Sequence, residues 1–207
     1  MIHQLSNAVI TNLINHLRDQ ETESLHFRQT IQQLARFLAY EAFGMIHLEE
    51  KKINTWQGEA SFSFIEEEEL MFIPILRAGL PMLDPLIEMF PKAQSGFLAM
   101  ARDETTHKAV LYYDKVPECQ GKTVILLDPM LATGGSLADA IEFVKKHHPK
   151  KIISLNIIAA PEGLEVIEKA HPDIDLFIAQ VDEKLNDEKF IIPGLGDAGD
   201  RAYHTEE

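Results

Sequence analysis

Cysteine and basic residues are scarce in this chain of 207 residues. Cys119 is its one cysteine, which excludes an intramolecular disulfide and is typical of proteins from a reducing compartment. The 19 lysines and arginines are outnumbered by 33 aspartates and glutamates, so the formal net charge is −14 at pH 7. This balance argues against nucleic acid or an anionic membrane surface as the main partner.

Long apolar runs are absent as well. No stretch of the sequence approaches the roughly 18 apolar residues that a membrane-spanning helix needs. The opening MIHQLSNAVITNL lacks a basic region and a continuous apolar core, so we expect no signal peptide. No repeat or low-complexity linker divides the chain, and 45% of its residues are hydrophobic. We therefore expect a soluble cytoplasmic protein with a single domain over residues 1–207.

Apolar residues with helical and strand periodicities alternate along the chain. Two amphipathic helices are predicted ahead of any strand, from Leu5, Val9, Leu13 and Leu17 and then Phe27, Ile31, Leu34 and Leu38. The predicted strands that follow are Leu70–Leu76, Ser95–Met100, Thr123–Leu127, Lys151–Ala160 and Ile174–Val181. Helices between them imply an α/β fold with an open, mainly parallel sheet. The alternating bulk from Lys108 to Tyr113 predicts half of a β-hairpin arm that projects from this sheet.

The stretch KTVILLDPMLATGGSLADAI, residues 122–141, predicts a ligand loop. A short apolar run rich in β-branched residues ends at Leu127, and apolar residues then recur at the helical spacing of Leu137, Ile141 and Val144. Ser136 is the predicted N-cap of that helix. The loop therefore joins the end of a strand to the start of a helix, which is where open parallel sheets bind ligands.

The residues of this loop favour a sugar phosphate. Gly134 and Gly135 allow the backbone to approach a ligand, and the N-terminus of the following helix favours an anion. The loop has neither the Gly-Lys-Ser/Thr of a Walker loop nor a G-x-G-x-x-G motif, and an ordinary glycine turn is the alternative. Asp128 places a carboxylate at the mouth of the loop, which suits sugar hydroxyls rather than the phosphate itself. We infer a site for phosphate plus ribose.

Four segments carry a family resemblance. VILLDPMLATGGS resembles the phosphoribosyl-diphosphate loop of the uracil phosphoribosyltransferases, a branch of the type I phosphoribosyltransferases in which the acid is followed by proline. PILRAGL, MARDETT and IIPGLGDAGDRAY, which begin at residues 74, 100 and 191, are similar to further motifs of that family in the same order. The resemblance implies the type I phosphoribosyltransferase fold, with N-terminal helices, a projecting β-hairpin arm and a C-terminal hood over the base.

The resemblance implies the transfer of a phosphoribosyl group. N1 of uracil would displace diphosphate from C1 of 5-phospho-α-D-ribose 1-diphosphate, forming UMP in pyrimidine salvage. Arg77 and Arg102 would neutralise the leaving diphosphate as catalytic residues, although either could instead be a surface charge or an ion pair. Asp128 would bind the same substrate together with the loop residues Pro129, Met130, Leu131, Ala132, Thr133, Gly134, Gly135 and Ser136. Mg²⁺ would arrive with the diphosphate, since the chain offers no compact carboxylate cage and no metal site of its own is expected.

The C-terminal motif implies the uracil site. In the family this segment recognises uracil through main-chain groups, which assigns the carbonyl of Ile191 and the amides of Gly196, Asp197 and Ala198 to the base. Asp197 would also bind phosphoribosyl diphosphate and act in catalysis, by orienting a metal-bound water or assisting at N1. Three glycines and a proline predict neither helix nor strand here, and a flexible tail is the alternative. A 4-amino group inverts one donor–acceptor pair, so cytosine should be rejected.

The sequence departs from the family at two places. His204 stands where the family commonly has glycine, and it would be strained if the backbone there has a positive φ. Leu80 and Pro81 follow Arg-Ala-Gly where the family usually has small residues, and a degenerate paralogue is therefore an alternative. His107, His147 and His148 could suggest a metal site, but adjacent histidines on a helix point to different sides, which favours a partner for the helix-end dipole.

Two alternatives to salvage have different sequence requirements. A pyrimidine-responsive regulator that binds RNA would need a basic surface, and the chain has no arginine-rich cluster. A purine phosphoribosyltransferase would usually show paired acids before Thr-Gly. We expect a homodimer or a larger homo-oligomer, because the N-terminal helices and the predicted arm are more elements than are needed to cover one sheet. GTP, which activates some relatives, is a candidate activator.

Overall fold

The computed structural model describes residues 1–102 and 109–205, with the backbone alone at positions 101, 102, 109 and 110. The helices in these residues are α1 (Ala8–Arg18), α2 (Ser24–Phe43), α3 (Leu80–Met89), α4 (Gly135–Lys145), α5 (Pro161–Ala170) and α6 (Ala198–Tyr203). The strands are β1 (Ile2–Gln4), β2 (Leu48–Thr55), β3 (Gly58–Ile65), β4 (Leu70–Leu76), β5 (Gln94–Ser95), β6 (Phe97–Arg102), β7 (Ala109–Lys115), β8 (Thr123–Leu127), β9 (Met130–Leu131), β10 (Lys151–Ala159), β11 (Asp175–Val181), β12 (Lys184–Leu185) and β13 (Ile191–Ile192).

A mainly parallel sheet forms the centre of the fold. Its strand order is β1-β11-β10-β8-β4-β6-β7, with β5 beside β4 and β9 beside β10. The pairings are parallel except for β6 with β7, which is antiparallel and contains an irregularity between Ala99 and Met100. The α/β class and the parallel sheet predicted from the alternating periodicities are confirmed.

Helices cover both sides of the sheet and divide the core into two layers. One layer contains residues of α1, α2, α3 and α6, and the other contains residues of α4 and α5. Strand β4 contributes side chains to both layers. Phe72 belongs to the first layer, while Met71 and Ile73 belong to the second. Successive side chains of a strand point to opposite faces, so a central strand covered on both faces must be apolar throughout.

The N-terminal segment differs from the prediction in two respects. Strand β1 precedes the first helix and pairs in parallel with β11 at one edge of the sheet. Helix α1 buries Ile10, Leu13, Ile14 and Leu17, whereas Val9 is exposed, so the buried face is rotated from the predicted one. The apolar face predicted for the second helix is confirmed: Phe27, Ile31, Leu34 and Leu38 are all buried.

The strand predicted at Lys108–Tyr113 forms an antiparallel pair as expected, but this pair lies in the main sheet and is not the projecting arm. Strand β7 lies at the edge of the main sheet, paired with β6, and Lys108 falls outside the described residues. The exposed hairpin is formed instead by β2 and β3, joined by a turn at Trp56 and Gln57. Charged residues of β2 obscured its alternation in the sequence, although Phe62 and Phe64 of β3 follow the strand period of two.

The described residues contain no helix long and apolar enough to span a membrane. The C-terminal motif is also more regular than its composition predicts, since β13 pairs with β12 and α6 follows within a few residues. Asp197 caps the short helix. Gly194 and Gly196 have positive φ angles and lie before the helix, whereas Gly199 lies within it.

Candidate active site

A cleft of about 600 Å³ lies where the parallel strands end. Residues at the ends of β4 and β8, the phosphate loop predicted from the sequence and the C-terminal motif line this cleft. Its walls thus come from segments that are spread over more than a hundred residues of the chain. The carboxyl ends of parallel strands meet at one edge of the sheet, which explains why their loops converge here.

Asp128 is held by a buried polar pair beneath it. The side-chain amide of Asn156 donates to the carbonyl of Asp128 at 2.7 Å, and the hydroxyl of Ser154 donates to Asn156 Oδ1 at 2.9 Å. Both Asn156 and Ser154 are completely buried on β10. The carboxylate of Asp128 accepts the N–H of Met130 at 3.2 Å. The backbone turn at Asp128 is therefore fixed from below by two polar side chains that sequence reasoning missed.

Asp128 lies in an environment that disfavours its charge. Burial raises the pKa of its carboxyl to about 7, and the hydrogen bond from the N–H of Met130 offsets this only in part. A carboxyl with a pKa near neutrality inside a cleft is typical of functional sites. Sugar hydroxyls can donate hydrogen bonds to this carboxylate without bringing a second negative charge.

The phosphate loop begins as a strand and ends as a helix. Met130 and Leu131 form β9 and pair with Ile158 and Ala159 of β10. Gly134 follows with φ 81°, and it rather than the predicted Ser136 is the N-cap of α4. A side chain at Gly134 would bring its Cβ to 2.8 Å from the carbonyl oxygen of Gly163. Glycine is required here both by the left-handed backbone and by the close approach of α5.

The two predicted arginines follow neighbouring strands. Arg77 comes directly after β4 through a cis peptide bond with Leu76, and it lines the cleft. Its guanidinium donates to Asp200 Oδ1 and to Thr205 Oγ1, each at 2.7 Å. Arg102 ends β6, which pairs in parallel with β4, and its side chain lies outside the described residues. Residues 103–106 of the MARDETT motif and His107 also lie outside them.

The C-terminal hood is anchored by a buried ion pair. Arg18 forms two hydrogen bonds with the carboxylate of Asp182, at 2.9 and 2.5 Å, and donates to the carbonyl of Gly194 at 2.6 Å. Asp182 also accepts the N–H of Gly194 at 2.9 Å. This network holds the chain where it leaves β13 through the cis Ile192–Pro193 bond. It fixes the backbone next to the predicted uracil-binding residues.

Helix α6 continues the hood over the cleft. Asp197 caps it by accepting the N–H of Asp200 at 2.8 Å. Arg201 donates to the carbonyls of Leu195 and Leu17, and its guanidinium lies 4.4 Å from the centroid of the Phe27 ring. These contacts fasten the short helix to α1 and α2, so the segment is ordered rather than a flexible tail. The structure thus presents Asp197 at the cleft from a fixed helix end.

Most of the predicted site residues are brought together. The predicted residues that line the cleft are Arg77, Asp128, Met130, Leu131, Ala132, Thr133, Gly134, Ser136, Ile191, Gly196 and Asp197. Pro129, Gly135 and Ala198 are adjacent in the chain but do not form its wall. Pro129 is buried beneath the loop, where its carbonyl accepts the N–H groups of Ile157 and Ile158.

Several wall residues were missed. Tyr112 reaches the cleft from β7, and Lys189 and Phe190 reach it from the turn before β13. Lys189 has a φ of 70°, and the turn is held by Asn186, whose Oδ1 accepts the N–H of Phe190 at 2.8 Å. No local motif marks these residues, because only the tertiary fold places the edge strand and this turn beside the phosphate loop.

The described residues contain no group of three or more histidines, cysteines, aspartates or glutamates that could hold a metal ion. His147 and His148 follow the end of α4 rather than lie within it. The N–H of His147 donates to the carbonyl of Val144 at 2.9 Å, and that of His148 donates to Lys145 at 3.2 Å. The backbone of this pair thus completes the last turn of the helix.

Comparisons with known proteins agree on one family. The family model described as Uracil phosphoribosyltransferase matches residues 4–205. A uracil phosphoribosyltransferase from Aquifex aeolicus (strain VF5) is 47% identical over 203 residues, which cover 98% of this chain and 98% of that protein. A solved structure of an Aquifex aeolicus protein is similar with a TM-score of 0.96 and 46% identity, covering 100% of this chain and 99% of the other.

A more distant solved structure shares the fold. The crystal structure of a hypoxanthine-guanine phosphoribosyltransferase from Bacillus anthracis has a TM-score of 0.53 and 19% identity, and the match covers 77% of this chain and 80% of that one. At this identity the likeness shows the architecture alone. The architecture is that of the type I phosphoribosyltransferases, as predicted.

Proposed function

The chain belongs to the uracil phosphoribosyltransferase family, and we propose that it forms UMP and diphosphate from uracil and phosphoribosyl diphosphate. In this reaction the bond between C1 and the diphosphate oxygen breaks, N1 of uracil bonds to C1, and the proton of N1 is lost. The observation that carries the proposal is the convergence of Asp128, the glycine loop and the C-terminal hood on one cleft. These three elements offer separate groups for the ribose, the phosphate and the base.

Different residues of the cleft are proposed to bind the ribose, the 5′-phosphate and the diphosphate of the substrate. Asp128 accepts hydrogen bonds from the ribose hydroxyls, while the loop from Pro129 to Ser136 surrounds the 5′-phosphate. Arg77 and Arg102 neutralise the diphosphate, because a planar guanidinium matches phosphate oxygens. Mg²⁺ bound to the diphosphate substrate would supply positive charge for the leaving group.

The hood supports recognition of the base. The carbonyl of Ile191 and the amides from Gly196 to Ala198 present alternating acceptors and donors to the edge of uracil. Asp197 lies within this stretch and would assist at N1 or orient a water on a metal ion carried by the diphosphate. The proton of N1 must leave as the bond to C1 forms, and the carboxylate of Asp197, which caps α6, would receive it.

We propose that the protein acts as a single-domain cytoplasmic enzyme and forms at least a dimer. The β2–β3 hairpin supports the dimer: Ile53, Phe62 and Phe64 lie on one of its faces and are exposed. Trp56 at its tip is 92% exposed. A two-stranded hairpin is marginally stable alone, and a second copy of the chain would cover its apolar face. GTP is proposed as an activator from the family resemblance alone.

The experiment that tests the activity is a product assay. Purified protein with uracil, phosphoribosyl diphosphate and Mg²⁺ should yield UMP and diphosphate in equal amounts, and omission of any one of these should abolish UMP. The matched control is Asp128→Asn, which keeps the shape and the acceptor for the N–H of Met130 but removes the charge. Absence of UMP from the wild-type reaction would contradict the proposed function.

A further inference from the structure

Arg77 is held by two side chains of the C-terminal segment. Its Nη2 donates to Asp200 Oδ1 and its Nη1 donates to Thr205 Oγ1, each at 2.7 Å. The hydroxyl of Thr205 donates in turn to the same Asp200 oxygen at 2.6 Å. The three side chains therefore form a closed hydrogen-bonded triangle at the cleft.

The triangle is continuous with the residues proposed to bind uracil. Asp200 donates its backbone N–H to Asp197 Oδ1 at 2.8 Å, so the acid that caps α6 and the acid that holds Arg77 are directly linked. Gly199 lies between them. A Cβ at Gly199 would stand 3.2 Å from Asp197 Oδ1 and 3.6 Å from Arg77 Nη2, so the absence of a side chain lets the guanidinium lie against the helix backbone.

Within the described residues, these contacts leave Arg77 with donors for a ligand. A guanidinium has five N–H groups in a fixed plane, and Asp200 and Thr205 occupy two of them. The Arg77 side chain remains 55% exposed, whereas that of Asp200 is 29% exposed. Hydrogen bonds from Thr205 and Arg77 lower the pKa of Asp200, so this acid remains charged at neutral pH. The pair therefore fixes the plane of the guanidinium while its other edge stays accessible.

We propose that Asp200, assisted by Thr205, is a positioning residue that couples uracil binding to diphosphate binding through Arg77. This inference rests on the proposed function of the cleft. Uracil bound against residues 191–198 stabilises the start of α6, α6 presents Asp200, and Asp200 orients Arg77 toward the diphosphate. Coupling is reciprocal at equilibrium, so diphosphate must strengthen uracil binding by the same factor.

Calorimetric titration of inorganic diphosphate with Mg²⁺, in the absence and presence of saturating uracil, measures this coupling. In the wild-type protein uracil should tighten diphosphate binding by at least about fivefold. In Asp200→Asn and in Thr205→Val the ratio should fall toward one, although each ligand alone still binds. The matched control is Asp173→Asn, which removes an acid paired with Lys145 at 2.7 Å outside the cleft and should keep the wild-type ratio.

The possible outcomes separate this inference from the proposed function. A wild-type protein that binds neither uracil nor diphosphate contradicts both. A wild-type protein that binds both without coupling contradicts the inference alone, as does full coupling in both Asp200→Asn and Thr205→Val. Loss of all diphosphate binding in Asp200→Asn without uracil would show that Asp200 supports the site structurally, and this also overturns the coupling role.

Discussion

Asp128 should give the cleft a specific pH dependence. Burial raises the pKa of this carboxyl to about 7, so the ionised fraction falls as the pH falls through neutrality. If the carboxylate binds the ribose hydroxyls, kcat/KM for phosphoribosyl diphosphate should fall by about tenfold from pH 8 to pH 6. Steady-state rates across this range, with uracil saturating, measure the effect.

Asp128→Asn isolates the contribution of this carboxyl from that of the substrate, whose phosphates titrate in a similar range. The variant should have strongly reduced turnover, and its remaining pH dependence should be weaker.

The same carboxyl predicts a change in stability. Because the Asp128 carboxyl binds its proton more tightly in the folded protein than in the unfolded chain, the stability that it contributes is lost as the pH rises from about 4 to 7. The Asn variant should therefore be the more stable protein at pH 8. Full activity of Asp128→Asn would contradict the assignment.

His204 carries a backbone cost that glycine would remove. It ends α6 with φ 51° and ψ 52°, the left-handed region, and its side chain is exposed. His204→Gly should raise the free energy of unfolding by about 0.5–1 kcal/mol, since relief of the left-handed strain exceeds the added entropy of the unfolded chain. For a chain of this size the melting temperature should rise by about 2 °C.

His204→Ala is the control for this substitution, because alanine removes the imidazole and keeps the strain. Its melting temperature should stay close to that of the wild type. If His204→Gly were no more stable than His204→Ala, the positive φ would carry no measurable cost. The family commonly has glycine at this position, and His204 was expected to be strained if the backbone there has a positive φ. The observed φ is positive.

At the scale of elements, the helices and strands with uniform burial were predictable. Leu70–Leu76 and Thr123–Leu127 have the bounds expected from their apolar patterns, because these patterns report burial in the sheet. Strand β1 was missed because three residues at an edge carry no periodicity of their own. The arm was misplaced because β2 is almost wholly polar and becomes a strand through pairing with β3.

The site was predictable where a motif carries it and not where the fold assembles it. The loop from Asp128 to Ser136 follows from local sequence, since a strand, a glycine turn and a helix succeed one another there. Tyr112 and Lys189 are brought to the same cleft by long-range packing. The buried support from Asn156 is likewise invisible in the sequence, since a polar residue in an apolar strand does not reveal its partner.

The two glycines of the phosphate loop have different tasks. Gly134→Val should destabilise the fold strongly, because the backbone is left-handed and the new Cβ would meet the Gly163 carbonyl oxygen at 2.8 Å. Gly135→Val should fold, since the nearest atom to a Cβ there is Thr133 Oγ1 at 3.9 Å. Its branched side chain should instead obstruct the phosphate. Thermal melts and calorimetric titration with ribose 5-phosphate separate the two effects.

For this pair of variants two results would contradict the account. Undiminished binding of ribose 5-phosphate by Gly135→Val would mean that the loop is only a turn. A wild-type melting temperature for Gly134→Val would mean that the close approach of α5 is not required. Gly135→Ala serves as the control for Gly135→Val, because it adds a Cβ without the branch.

At the scale of the whole molecule, a chain of net charge −14 must bind a highly anionic substrate. The cleft meets this demand locally, with Arg77 and Lys189 among the described residues of its wall and a backbone loop at a helix start. The acids lie largely elsewhere on the surface. Because surface charges are screened beyond about 8–10 Å at physiological salt, the local arrangement can outweigh the overall charge.

Self-association should depend on the apolar face of the β2–β3 hairpin. Replacing Phe62 and Phe64 together with Ser should shift the protein toward monomer, because both side chains are exposed on that face. The measurement is the molar mass by light scattering at micromolar concentration. Leu25→Ser, which changes an exposed apolar residue of α2, is the control and should leave the mass unchanged. A monomeric wild-type protein would contradict the proposal.

The choice of base tests the central claim most directly. The protein should be given uracil, cytosine, hypoxanthine or adenine in parallel, each with phosphoribosyl diphosphate and Mg²⁺, and kcat/KM should be measured for every base. A hood that matches the donor and acceptor pattern of uracil predicts at least about a thousandfold preference over the other three, because a mismatched base leaves buried polar groups unpaired. A purine base or cytosine converted as efficiently as uracil would contradict the account.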